Sequence, residues 1–229
     1  MKTAIYLKVT KKLILTIMLA TGIYSHGATL DEMMEQAGMV DVKSVIPNVR
    51  VELLYATAGN FVGEVMYGDL TKAYLHPQAV EALAAAAAEL SALRPGYRLK
   101  ITDAARPMSV QRRMYAKVRG TSKARYVSNP ANGGGLHNFG LAVDITIEDP
   151  DGNEIDMGTP VDHLGPEANI NREAFLVKTG KISAAAAKNR ALLRRVMKVG
   201  GFMPLKSEWW HFNLKSRAEA KRRYNLLDF

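Results

Sequence analysis

HNFGLAVDITI, residues 137–147, decides how this chain is read, because it couples a fold signal to a chemical one. Leu141, Val143, Ile145 and Ile147 alternate with Ala142, Asp144 and Thr146, the period of a strand with one apolar and one polar face. Asp144 then lies on the polar face beside small Ala142, and His137 sits just ahead of the strand, where Gly133–Gly135 and Gly140 let the backbone turn. Taken alone, the pair also fits a loop histidine and a surface aspartate. A second stretch, Glu208-Trp-Trp-His211, brings another imidazole and another carboxylate. Two imidazoles and a carboxylate, with one acid to spare, make the inventory of a hydrolytic zinc site: three protein ligands leave a position for water, and a nearby carboxylate can take its proton. Glu208 and His211 are three residues apart, so a regular strand would point them to opposite sides. Serving one site demands a bulge or a strand-end bend. Trp209 and Trp210 also read simply as core aromatics.

Outward from these stretches the chain reads as α+β, a single domain with a central, mostly antiparallel sheet flanked by helices. Val40 to Tyr55 is extended, broken by a turn at Pro47-Asn48, and a loop with Tyr55, Asn60, Phe61 and Gly63 follows. A helix from about Pro77 to Leu93 has Pro77 in its first turn, Val80, Leu83, Ala87 and Leu90 on one face, and Pro95-Gly96 beyond its end. Tyr97 to Thr102 alternates as a half-buried strand, and a helix from about Ser109 to Val118 comes next. Thr121 to Gly135 reads as a loop. A helix from about Ser183 to Val199 is capped by Gly200-Gly201, Glu208 to Leu214 is the last strand, and a short basic helix follows. There is no internal repeat.

The absence of cysteine excludes a disulfide framework and any thiolate metal site, so a metal must be held by His, Asp or Glu. Lys2, Lys8, Lys11 and Lys12, the apolar run from Leu13 to about Tyr24, and small Ser25, Gly27 and Ala28 read as a secretory signal peptide over residues 1–28. Its apolar core is shorter than the roughly 20 residues of a membrane-spanning helix, so the expectation is an exported protein, periplasmic or secreted, with no stable membrane insertion after cleavage. Residues 29–229 are then one domain with a sizeable core. Loss of the four lysines takes the formal charge from +9 to +5. The remaining basic residues are scattered, as in Arg112-Arg113 and Arg194-Arg195, without interleaved aromatics, so no nucleic-acid partner is expected.

Further segments carry a resemblance. His137-x-x-Gly-x-Ala-x-Asp144 followed by Glu208-x-Trp-His211 resembles the zinc D,D-peptidases of peptidoglycan metabolism. Tyr55-Ala-Thr with Asn60-Phe61-x-Gly63, Asp103-Ala-Ala-Arg106-Pro107, Asp156-Met-Gly-Thr-Pro-Val-Asp162 and Ser207-Glu-Trp-Trp-His211 resemble its D-alanyl-D-alanine dipeptidase branch, which includes the vancomycin-resistance dipeptidases. The resemblance implies the carboxypeptidase/dipeptidase fold, one Zn2+ per chain and a small dipeptide substrate. It makes His137, Asp144 and His211 the zinc ligands, Glu208 the catalytic base and Arg106 the residue that steadies the scissile carbonyl. Asp162 becomes the carboxylate that holds the substrate's free amino group, and Tyr55 lines the same end.

One departure matters: the family's first motif begins Ser-x-His, whereas this chain has Gly135-Leu136-His137, so a hydroxyl is missing there. The alternatives are a zinc D,D-carboxypeptidase or endopeptidase acting on peptidoglycan stem peptides and, from another class, a silent cell-wall-binding module with structural zinc. Glu208 and Arg106 speak against the second, since neither is needed merely to hold a metal. Asp149-Pro-Asp151-Gly-Asn153-Glu-Ile-Asp156 alternates acids as a calcium loop does, but Gly152 is misplaced for one and a turn on Asp151-Gly152 fits better. His163 is read as a loop residue near the pocket and His76 as a surface residue.

Overall fold

The computed structural model describes residues 27–229. The signal peptide expected over residues 1–28 lies, save for its last two positions, outside the described residues. The helices are α1 (Leu30–Gln36), α2 (Val42–Val45), α3 (Pro77–Leu93), α4 (Met108–Val118), α5 (Glu173–Lys178), α6 (Ala184–Val199) and α7 (Arg217–Arg223). The strands are β1 (Val40–Asp41), β2 (Arg50–Val51), β3 (Tyr74–Leu75), β4 (Arg98–Asp103), β5 (Ala142–Glu148), β6 (Met203–Leu205) and β7 (Glu208–Asn213).

Five strands form the central sheet in the order β2-β4-β5-β7-β6, with β1 and β3 paired apart from it. Only β2 runs parallel to its neighbour; the β4-β5, β5-β7 and β7-β6 pairs are antiparallel. Helices α3 and α6 pack on each other, and α3 also contacts β4. Leu83, Leu90, Leu193, Val196 and Met197 from the helices meet Leu99, Ile101, Val143, Ile145 and Ile147 from the sheet in one buried core. Among the described residues no helix is long and apolar enough to cross a membrane.

Several elements differ from the sequence reading. Val42–Val45 is helical rather than extended, because the Asp41 side chain accepts from the Lys43 amide and caps a turn there. Strand β4 is buried on both faces beyond Arg98. Its Lys100 is covered yet ion-paired to Glu52 at 2.8 Å and Glu154 at 2.7 Å, which is how a lysine is tolerated inside a sheet. Leu141 lies just ahead of β5 and joins Leu136, Phe139, Ala142 and Ala220 in a second apolar cluster, whereas Val143 belongs to the main core. The expected loop from Thr121 to Gly135 contains two 3-10 turns, Ser122–Tyr126 and Pro130–Asn132. His76 is half-buried rather than a plain surface residue. Its Nδ1 accepts from the Gln78 amide at the start of α3, and its ring stands edge-on to Tyr224.

Candidate active site

Register builds the centre of the site. In the β5-β7 ladder Asp144 is the direct partner of His211, so their side chains rise side by side from adjacent strands. His211 Nδ1 lies 2.9 Å from Asp144 Oδ1. His137 arrives from the 3-10 turn Leu136–Phe139, which ends at Gly140 with φ 65°. A side chain at Gly140 would place Cβ 2.8 Å from the His76 amide, so the turn requires glycine for space as well as for conformation. His137 Nε2 reaches 3.2 Å from His211 Nδ1 and 3.4 Å from Asp144 Oδ1.

Each imidazole is oriented from behind. His137 Nδ1 donates to the Ala104 carbonyl at 2.6 Å, which leaves Nε2 as the inward lone pair. His211 Nε2 donates to Asn213 Oδ1 at 2.9 Å, which leaves Nδ1 inward. The three inward atoms are separated by 2.9 to 3.4 Å. A tetrahedral ion about 2.0–2.1 Å from each donor requires edges of about 3.3 Å, so the donor set has the chemistry and the spacing to hold one. Burial opposes the charge on Asp144, but the two imidazoles outweigh it and hold this carboxyl well below the usual range.

Glu208 opens β7, and the bulge that the Glu208–His211 spacing demanded lies between those two residues. Pro204 pairs with Phe212, whereas the next residue, Leu205, pairs with Glu208, so Trp209, Trp210 and His211 are looped out of the β6-β7 ladder. Both tryptophans are buried and stand perpendicular at 5.4 Å. Trp209 Nε1 donates to Thr159 Oγ1, and the Arg190 guanidinium lies over its ring. Burial pushes the Glu208 carboxyl up to about 7; His211 opposes this, and the charges of Asp144 and Asp162 add to it.

Arg106 follows β4 and is held by the fold. Its Nη2 donates to Asp103 Oδ2 and its Nη1 to Gln111 Oε1 at 2.9 Å, while its guanidinium lies 5.1 Å from the centre of the Tyr55 ring. Asp103 in turn accepts from the Tyr67 hydroxyl and from the Ala104 amide. Asp162 is the one non-glycine residue at positive φ among the described residues, at 65°. Such a conformation costs about 1–2 kcal/mol and persists where packing over-determines it. Arg190 contributes by donating to the carbonyls of Met157 and Glu167 on either side of the Asp162 loop. Tyr55 donates to Asp162 Oδ1 at 3.0 Å, while Oδ2 is buried without a partner. Burial, with Asp144 nearby, pushes the Asp162 carboxyl up to about 7, and burial keeps the Tyr55 hydroxyl protonated.

All seven residues singled out in the sequence, Tyr55, Arg106, His137, Asp144, Asp162, Glu208 and His211, line one cavity of about 430 Å³. That volume suits a small ligand. His163 is turned to Glu167 at 3.1 Å and is not among the lining residues. The loop at Asp149–Asp156 is a turn: Gly152 donates to the Asp149 carbonyl at 3.0 Å, and Glu148 and Glu154 bridge beyond it. Sequence reasoning missed Asp103, Gln111 and Asn213. Asn213 had a signal, since it lies two residues beyond His211 on the same strand face; Gln111 had none, because although it is five residues from Arg106, the turn of the chain between β4 and α4 decides that the two side chains meet.

Three side chains that could hold a metal ion, a spare carboxylate and a clamped guanidinium in one small cavity are the equipment of a metallopeptidase. The chain belongs to the D-ala-D-ala dipeptidase family of peptidases, whose model matches residues 35–227. It is 33% identical over 188 residues to the D-alanyl-D-alanine dipeptidase of Escherichia coli (strain K12), a match covering 81% of this chain and 89% of the relative. The D-alanyl-D-alanine dipeptidase of Enterococcus faecalis (strain ATCC 700802 / V583) is 26% identical over 196 residues, 77% of this chain and 91% of the relative. That of Streptomyces coelicolor (strain ATCC BAA-471 / A3(2) / M145) is 28% identical over 194 residues, 76% and 90% respectively.

Proposed function

We propose that the protein hydrolyses the free dipeptide D-alanyl-D-alanine to two D-alanines, using one zinc ion held by His137, Asp144 and His211. Family membership supports the reaction, and the observation that carries the choice of a free dipeptide is Asp162 on the cavity wall, with Oδ1 held by Tyr55 and Oδ2 buried without a partner. A substrate ammonium satisfies that carboxylate, and an N-blocked peptide leaves it desolvated and uncompensated.

When bound, the ion supplies positive charge beside the scissile carbonyl and makes a water molecule easier to deprotonate near neutral pH. Glu208 accepts the proton as water attacks the carbonyl carbon and delivers it to the leaving amine. Arg106 offsets the negative charge that grows on the carbonyl oxygen. Its clamp by Asp103 and Gln111 means that little reorganisation is needed at that moment. Tyr55 keeps its proton and holds Asp162 in place. The leader-like composition of residues 2–28 supports export to the periplasm or beyond, where such a dipeptide would be met.

Hydrolysis of D-alanyl-D-alanine and of its N-acetylated form, each with and without a chelator, tests the reading. The expected result is turnover of the free dipeptide alone, abolished by chelation and restored by zinc. Preference for the acetylated peptide would transfer the protein to stem-peptide hydrolysis and remove the Asp162 role. A second expectation concerns the support of His211. Asn213→Ala should weaken zinc affinity about tenfold or more, the usual cost of losing a hydrogen bond that orients a ligating imidazole. Competition with a chromophoric chelator measures it, and an unchanged affinity would mean that β7 alone orients the ring.

A further inference from the structure

Gly135 has φ −113° and ψ −174°, an extended conformation open to any residue, so its lack of a side chain has no backbone cause. The cause is spatial. A Cβ there would lie 2.7 Å from Ser128 Oγ and 3.1 Å from Ser128 Cβ. Ser128 and Gly135 both line the cavity, and the Ser128 hydroxyl makes no hydrogen bond among the described residues; its carbonyl accepts from Gln111 Nε2 at 2.7 Å. Gln111 also accepts from Arg106, so one amide ties the Ser128 backbone to the clamped guanidinium. Lys215 and Arg217 line the same cavity, and Arg217 donates to the Asn132 carbonyl at 3.0 Å, which joins their segment to the one carrying Ser128. The hydroxyl missing at position 135 is thus present in the same space, contributed by another segment, in a cavity that Arg106, Lys215 and Arg217 also line.

We infer that Ser128 is a specificity-determining residue whose hydroxyl donates to the C-terminal carboxylate of the dipeptide, in a place that exists because residue 135 is glycine. The inference rests on the dipeptidase reading above. It accounts for a free dipeptide being held at both ends, the ammonium by Asp162 and the carboxylate by Ser128. It also makes positions 128 and 135 interdependent, since the two side chains compete for one volume.

The test uses the zinc-loaded full chain. Turnover of D-alanyl-D-alanine is measured first, because its absence in the unaltered protein overturns the dipeptidase reading itself. With turnover present, Ser128→Ala should raise KM for the dipeptide about tenfold or more, as expected for a lost hydrogen bond to a charged group, with kcat changed less than about twofold. For D-alanyl-D-alaninamide, whose terminus is uncharged, the same substitution should change KM by less than about threefold, because neutral hydrogen bonds are weaker. A merely structural role would affect both substrates alike. Gly135→Ser should impair the enzyme through crowding against Ser128, and Ser128→Ala/Gly135→Ser should recover a KM below that of Ser128→Ala. An unaltered dipeptide KM in Ser128→Ala, or equal changes for the acid and the amide, overturns the inference.

Discussion

Glu208→Gln is expected to lower kcat on D-alanyl-D-alanine by about 10²- to 10⁴-fold, the range produced by removing a positioned general base. The substitution keeps the size and burial of the side chain, so Trp209 and Trp210 retain their packing. Glu208 is outside the three-atom donor cluster, so the bound metal should stay in place. Glu208→Asp provides the graded comparison: a carboxylate set back by one methylene should recover part of the rate. Metal content measured beside kcat separates the two roles open to this residue. Loss of metal together with activity would make Glu208 a ligand, and retention of full activity would remove it from the mechanism.

The second large effect falls on a residue with no chemistry of its own in the reaction. Asp103→Ala should destabilise the fold by about 3–5 kcal/mol, because it leaves the Arg106 guanidinium buried without its countercharge. The Tyr67 hydroxyl and the Ala104 amide lose an acceptor at the same time. For a chain of this size the shift in Tm is roughly 6–20 °C. Activity should fall with it, since Gln111 alone would then restrain the guanidinium. Asp103→Ala/Arg106→Met removes charge and countercharge together. It should regain most of the lost stability and none of the activity, a pattern that a general packing defect would not give. Calorimetry and single-turnover rates on the three proteins check this, and an unchanged Tm in Asp103→Ala would show that Arg106 does not depend on Asp103.

Elements governed by local rules were legible in the sequence. Pro77–Leu93 is helical over the residues its period and its proline indicate, and Ser183 caps α6 where the sequence begins that helix. Errors arose where a short-range contact overrode a pattern, as at Asp41, or where burial depended on neighbours, as at Lys100. The Glu208–His211 spacing is the intermediate case. Parity alone demanded an irregularity, but only the pairing of Leu205 with Glu208 located it and showed three residues looped out.

For the site, residue chemistry was available without coordinates. Lack of cysteine left histidines and carboxylates as the donors, the two split motifs supplied them with an acid over, and Arg106, Asp162 and Tyr55 followed from resemblance. That much belongs to side-chain identity and near spacing, which a linear sequence carries in full. Tertiary structure decided what each group faces. Strand register set Asp144 opposite His211, Ala104 and Asn213 selected the inward nitrogens, Asp103 and Gln111 fixed the guanidinium, and Ser128 filled the space left by Gly135. Asp144 and His211 lie 67 residues apart and His137 and Ala104 33, so only packing of the whole chain brings them together. Asp103 and Gln111 are near Arg106 in sequence, as Asn213 is near His211, but backbone path and side-chain direction decide that they meet. A motif can state which groups are present, and only the fold determines which atoms meet.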